Sequence, residues 1–146
     1  MKIKKRPNIY QAGDQAVIVV FEETISPAIN LQVHSLKTSI ESYGLNEIVE
    51  LVPAYASLLV GYDANLISSE EIQAKILSIF SNEIDINSFD DRIIEIPVLY
   101  GGSHGPDLDD LADIANLKTD DVIQIHSEEE YLVYMIGFTP GFPYLG

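Results

Sequence analysis

Two short segments, residues 16–21 and 57–62, are apolar at nearly every position, and they limit the possible folds more than any other feature. Ala16-Val17-Ile18-Val19-Val20-Phe21 is rich in β-branched and aromatic side chains, and Ser57-Leu58-Leu59-Val60-Gly61-Tyr62 reads the same way. Short apolar runs bounded by turn signals are strands of a sheet interior. Gly13-Asp14 supplies the turn before the first run and Pro53-Ala54 the turn before the second. Edge strands and covering helices must therefore come from the rest of the chain.

The intervening patterns supply them. Ser26-Pro27 is an N-cap followed by proline at the first helical position, and Ile29, Val33, Leu36 and Ile40 recur at helical spacing. The spacing predicts a helix over 27–43, stopped by Gly44. Residues 47–52 alternate charged and apolar side chains, as a half-exposed strand does. Ser68 and Glu71 have capping-box spacing, and Ile72, Ile76, Ile79 and Phe80 stripe a second helix over 69–82. Residues 92–99 read as a last strand.

The order is β-α-β-β-α-β, an α+β class of fold with an antiparallel sheet, the ferredoxin-like split βαβ arrangement, over residues 1–98. In it the first and third strands are central, and those carrying Glu47, Glu50, Arg92 and Glu95 lie at the edges. Two helices cover one sheet face only. Exposing about four aliphatic side chains on the other would forfeit roughly 1.5–3 kcal/mol each, against a net stability of about 5–15 kcal/mol. That face is expected to be covered, by another copy of the chain or by a following domain.

From Tyr100 the character changes. Gly101, Gly102, Gly105 and Pro106 form a loop, and Asp107 is placed to cap a helix carrying Leu108, Leu111, Ala112 and Ala115. A second short helix is expected from Thr119 to about His126, then a strand over 130–138. Two short helices, one strand and a turn enclose no core. Residues 99–146 thus read as an incomplete part of a second domain.

Eight basic residues against 23 acidic ones leave a formal net charge of −15. No basic face exists to displace phosphate counterions, which argues against nucleic acid and against anionic membrane surfaces. The absence of cysteine excludes disulfides, thiolate catalysis and Cys-ligated zinc. The three histidines are far apart, with no metal-ligand spacing. Lys2, Lys4, Lys5 and Arg6 could pass for the basic start of a signal peptide, but the apolar run behind them is too short. With no apolar stretch of membrane-spanning length, the expected compartment is the cytoplasm.

The last ten residues, Gly137-Phe138-Thr139-Pro140-Gly141-Phe142-Pro143-Tyr144-Leu145-Gly146, alternate glycine and proline with large apolar rings. Such a segment is a stiff loop that sets Phe138, Phe142 and Tyr144 in fixed positions. It carries no charge, so a site built on it works by shape, stacking and backbone hydrogen bonds. The plainer alternative is a tight turn packing its rings into a core. The glycine loop at 101–105 precedes a helix, but lacks the lysine of a phosphate cradle, and Asp107, Asp109 and Asp110 would repel phosphate. Among the histidines, His104 in that loop is a candidate acid–base group, His126 lies near a helix end, and His34 is expected to be solvated. Glu128-Glu129-Glu130 reads as a solvated loop. No nucleophile–base–orienter set can be assembled, so no catalytic residue is assigned.

Three motifs, in order, carry a resemblance. They are Tyr100-Gly101-Gly102-x-x-Gly105-Pro106-Asp107-Leu108, then His126-Ser127 leading into Tyr131-Leu132-Val133-Tyr134-Met135, then Gly137 to Gly146. Together they are similar to the family that includes allophanate hydrolase subunit 1, the B subunit of bacterial 5-oxoprolinase and the sporulation kinase inhibitor KipI. The resemblance implies a ferredoxin-like domain followed by the first part of a cyclophilin-like β-barrel domain, truncated at Gly146. It implies a substrate pocket lined by Gly137, Phe138, Thr139, Pro140, Gly141, Phe142, Pro143 and Tyr144. Tyr100, Gly101, Gly102, Gly105, Pro106, Asp107 and His126 join it as loop candidates, with no metal. Position 104 varies in the family, which counts against His104. The implied function is that of the B subunit in an ATP-dependent 5-oxoprolinase, opening 5-oxo-L-proline to L-glutamate with companion subunits. ATP would be used by the complex and not bound by this chain alone. The alternatives are inhibition of a sensor histidine kinase's autophosphorylation, and a subunit of allophanate hydrolase.

Overall fold

A computed structural model describes residues 6–81 and 92–146. The elements are β1 (Asn8–Gln11), β2 (Ala16–Val20), α1 (Pro27–Tyr43), β3 (Ile48–Pro53), β4 (Ser57–Tyr62), α2 (Ser69–Ser81), α3 (Leu108–Ala115), α4 (Thr119–Glu128), β5 (Val133–Ile136) and β6 (Pro143–Leu145). This is a mixed α+β chain whose four-stranded sheet, in the order β1-β2-β4-β3, is antiparallel throughout. The chain divides into two compact units. Of the described residues, one contains 6–81 and 133–146 and the other 92–132.

In the first unit the two apolar runs take the central positions, β2 and β4. Val17, Val19, Leu58 and Val60 point to one face and are fully buried there with Val33, Leu36 and Ile40 of α1 and Ile72, Ile76 and Ile79 of α2. Each such side chain stabilises the fold by about 1.5–3 kcal/mol. The helix ends form as their sequences dictate. The Ser26 side chain accepts from the Ile29 N–H at 3.3 Å, and Gly44 closes α1 in the left-handed region at φ 59°. Ser68 and Glu71 make a reciprocal capping box at the start of α2. The expected end of this helix at Asn82 lies outside the described residues.

Residues 92–99 form no strand, contrary to the split-βαβ expectation. The edge beside β2 is taken by Asn8–Gln11, a strand the sequence reading did not identify. A hairpin through Ala12, Gly13 and Asp14 joins β1 to β2 with minimal loop closure, Gly13 adopting φ 77°. Pro97 also removes a ladder donor from the competing segment.

The opposite sheet face carries a row in register across all four strands: Tyr10 opposite Ile18, Ile18 opposite Leu59, Leu59 opposite Val52. Both helices of this unit pack on the other face, so neither supplies the cover expected for this row.

In the second unit a short 3-10 turn at Gly102–His104 leads into α3, which packs against α4 and buries Ala112. Asn116, in the left-handed region at φ 54°, ends α3. Asp107 stands at the cap position and its carbonyl accepts from the Leu111 N–H at 2.9 Å, but its side chain makes no capping bond. Its backbone is right-handed helical (φ −92°, ψ 0°), and that geometry turns the carboxylate away from the free N–H groups. The strand expected over 130–138 is limited to Val133–Ile136, and the Pro-Gly segment returns as β6 to complete a hairpin.

Candidate functional site

The hairpin tip is built from two consecutive turns. The Thr139 N–H donates to the Gly137 carbonyl at 2.7 Å across Phe138, whose φ is 60°. This is the strained, positive-φ form of the γ-turn. The Phe142 N–H then donates to the Thr139 carbonyl at 3.1 Å. Pro140 and Gly141 occupy the corner positions, and φ 81° at Gly141 is what a type II turn demands there. A bulky side chain at positive φ costs on the order of 1–3 kcal/mol. Nothing recovers that cost by burial, because Phe138 is 90% exposed.

Behind the tip, five rings form a continuous stack. Phe138 meets Phe142 with centroids 6.3 Å apart, Phe142 meets Tyr144 at 5.3 Å, Tyr144 meets Tyr55 at 6.3 Å, and Tyr55 meets Tyr134 at 5.1 Å. The first three contacts are edge-to-face, the geometry ring quadrupoles favour. Tyr55 belongs to the β3–β4 turn, and its hydroxyl donates to the Leu145 carbonyl at 3.1 Å. That turn is itself held from α1. The buried Asn30 side chain donates to the Ala54 and Tyr55 carbonyls at 3.2 and 3.3 Å. One helical turn further on, His34 Nε2 bonds the Tyr134 carbonyl at 2.9 Å, so His34 is part-buried and engaged, not solvated. The expectation failed because residues 133–136 fold back against this helix face.

In the second unit the Tyr100 hydroxyl and His126 Nδ1 are 2.5 Å apart. The structure thus joins two loop candidates separated by 26 residues. Tyr131 lies against the same imidazole, centroids 5.9 Å apart, and its hydroxyl donates to the His126 carbonyl at 3.4 Å. This satisfies a carbonyl at the free end of α4. Gly101 (φ 73°) and Gly102 (φ 56°) shape the loop, and a Cβ at Gly105 would sit 3.0 Å from the Gly101 nitrogen. His104 is exposed at the end of the 3-10 turn, and Pro106 and Asp107 are exposed beside it.

Asp109 and Asp110 lie in the first turn of α3 beside Asp107, with no lysine or arginine in the loop itself. Carboxylates crowded at this helix start oppose the approach of a phosphate group. Among the described residues no group of three or more His, Asp or Glu is arranged to hold a metal ion. No described helix is long and apolar enough to cross a membrane.

Tyr55, Asn30 and His34 were missed as participants, whereas Tyr131 stands in the second of the three motifs. For those three the signals were an aromatic residue in a tight turn and two polar residues at i, i+4 beside the apolar stripe of the helix.

Residues 7–146 match the family model described as carboxyltransferase domain, subdomain C and D. The chain is 40% identical over 97% of its length to the B subunit of 5-oxoprolinase from Bacillus subtilis, and 34% identical over 95% of its length to the Haemophilus influenzae protein of the same name. It spans 63% of each of these relatives. A crystal structure of the conserved uncharacterized protein PH0987 from Pyrococcus horikoshii is 47% identical, with a TM-score of 0.51 over 95% of this chain and 63% of that one.

Proposed function

The chain belongs to the carboxyltransferase-domain family, subdomains C and D, and from that premise we propose that it is the B component of an ATP-dependent 5-oxoprolinase. The reading is carried by the 40% identity to a protein of that name over 97% of this chain. The reaction is hydrolysis of an amide C–N bond, converting 5-oxo-L-proline to L-glutamate. Companion subunits complete the site, and ATP is bound by them, since the carboxylates that follow the glycine loop here oppose a phosphate group. The compartment is the cytoplasm.

The geometry supports an auxiliary role in such a site. The stack from Phe138 to Tyr134 is a preorganised, uncharged wall, suited to the methylene face of a lactam ring. Turn carbonyls that accept none of these turn hydrogen bonds, such as that of Pro140, supply hydrogen-bonding partners without adding charge. The family resemblance implies that the antiparallel α+β sheet unit described above is accompanied by the start of a cyclophilin-like barrel. The row Tyr10–Ile18–Leu59–Val52, exposed at Tyr10 and Val52 and half-buried between them, is the surface that receives a following domain, a companion protein of the complex or a second copy.

Reconstitution tests this. The protein is combined with its companion subunits, ATP and 5-oxoproline, and glutamate is measured. Release that depends on this chain, and that Phe142→Ala diminishes, supports the proposal. Turnover at the same rate without the chain overturns it. Loss of a histidine kinase's autophosphorylation at stoichiometric dose, with no turnover, would assign the regulatory function instead.

A further inference from the structure

We propose that His126 binds the carbonyl oxygen of a small cyclic amide through its Nε2–H, and that Tyr100 is the positioning residue that holds it in that tautomer. The proposal deepens the amide-hydrolysis reading above and rests on it. A neutral imidazole carries one proton, so whichever nitrogen accepts a hydrogen bond leaves the other as the donor. The phenol is the natural donor toward a basic ring nitrogen, so the Tyr100 hydroxyl donates to Nδ1 and the proton stands on Nε2.

Three further observations aim that proton outward. The imidazole is wedged between two tyrosine rings, Tyr100 edge-on at 5.7 Å and Tyr131 tilted at 5.9 Å. The Tyr131 hydroxyl pins the backbone of the same residue. His126 is exposed, and Nε2 has no hydrogen-bond partner among the described residues. Two residues on from Tyr100, a Cβ added at Gly102 would meet nothing within 4 Å, whereas one at Gly101 would lie 3.5 Å from the Leu108 side chain. The ligand group is a neutral amide oxygen and not a phosphate, because Asp107, Asp109 and Asp110 follow directly on the loop.

The test reads the imidazole nitrogens by long-range ¹H–¹⁵N NMR, in the chain and in the reconstituted complex, with 2-pyrrolidinone as the probe. The expected spectrum shows protonated Nε2 and unprotonated Nδ1, and a saturable shift at Nε2 on titration. Tyr100→Phe raises the share of the other tautomer and weakens binding about 3- to 10-fold. His126→Gln, whose amide reaches the Nε2 position, retains binding, whereas His126→Asn, whose amide reaches only Nδ1, loses it. In the complex, His126→Asn lowers kcat/KM for 5-oxoproline by about tenfold or more. Tyr100→Phe adds nothing in the His126→Gln background, although a merely structural tyrosine would still add its cost there. Protonated Nδ1 in the wild type, or no saturable shift at His126 in either preparation, overturns the proposal. A saturable shift in a complex that does not turn over 5-oxoproline keeps it and removes the 5-oxoprolinase reading. An active complex whose position-126 variants match the wild type does the reverse.

Discussion

Tyr55 donates its hydroxyl to the Leu145 carbonyl at 3.1 Å while its ring lies against both Tyr134 and Tyr144. One residue of a sheet turn thus holds a hairpin that begins at Val133, far along the chain. Tyr55→Phe removes only the hydrogen bond, about 0.5–1.5 kcal/mol. Tyr55→Ala removes the two ring contacts as well, about 0.5–1.5 kcal/mol each. Hydrogen exchange is expected to show lost protection in β5 and β6, graded Ala over Phe, with the β2 and β4 amides unchanged. Equal protection in Tyr55→Ala would mean that something else holds the hairpin.

Asn30 and His34, one turn apart on α1, divide that attachment between the sheet turn and the hairpin strand. Asn30 is fully buried with both donated bonds on turn carbonyls, and its Oδ1 has no partner among the described residues. Asn30→Ala orphans those carbonyls and should cost about 1–3 kcal/mol of global stability, read as a lower denaturant midpoint at constant slope. His34→Ala acts only on the Tyr134 carbonyl. It should change hairpin exchange while leaving the global midpoint within about 0.5 kcal/mol.

These two residues mark where the sequence was legible. Positions 27–43 announce their helix through Ser26, Pro27, the Ile29–Val33–Leu36–Ile40 stripe and Gly44, all local chemistry, and the helix has those bounds. β2 and β4 are likewise evident, because a run such as Ala16–Val20 is stable only inside a sheet. What stayed hidden depended on distant partners. The split-βαβ pattern expects residues 92–99 at a sheet edge, yet Asn8–Gln11, joined to β2 by a short hairpin, takes the edge beside it. The Gly137–Gly146 segment was readable as a shaped turn from its own composition. That Tyr55 would continue its ring stack was not, because no pattern links a turn at 55 to a strand at 144. The Tyr100–His126 pair was visible only as two members of separate motifs.

Phe138 combines φ 60° with 90% exposure, so its ring is kept at a backbone cost that its own packing does not recover. Phe138→Gly relieves the strain and loses one ring contact with Phe142, but raises the entropy of the unfolded chain. Stability is expected to stay within about 1 kcal/mol of the wild type. Turnover of the reconstituted complex is expected to fall about tenfold or more, equivalent to about 1.4 kcal/mol of transition-state stabilisation. A large loss of stability with unchanged turnover would make Phe138 a packing residue.

The capping box of α2 gives the chain a pH dependence whose sign follows from its geometry. Glu71 accepts from the Ser68 N–H at 3.0 Å and from the Ser68 hydroxyl at 2.8 Å, and these bonds hold its carboxyl below the usual glutamate range. Glu47 is lowered in the same direction, chiefly by its 2.7 Å bond from Lys75. A carboxyl whose folded pKa lies below its unfolded one binds fewer protons when folded. Its contribution is complete above the unfolded value, about 4.3, and is lost as pH falls through the lowered folded value. Glu71→Gln keeps an acceptor for the cap but has no proton to take up. Melting temperatures measured between about pH 6 and about pH 3 should therefore fall less steeply for Glu71→Gln than for the wild type. Ser68→Ala, which removes the hydroxyl donor, should melt lower at neutral pH and lose part of the same slope. Parallel curves for the wild type and Glu71→Gln would show that the carboxylate is not what ties this helix start to acid.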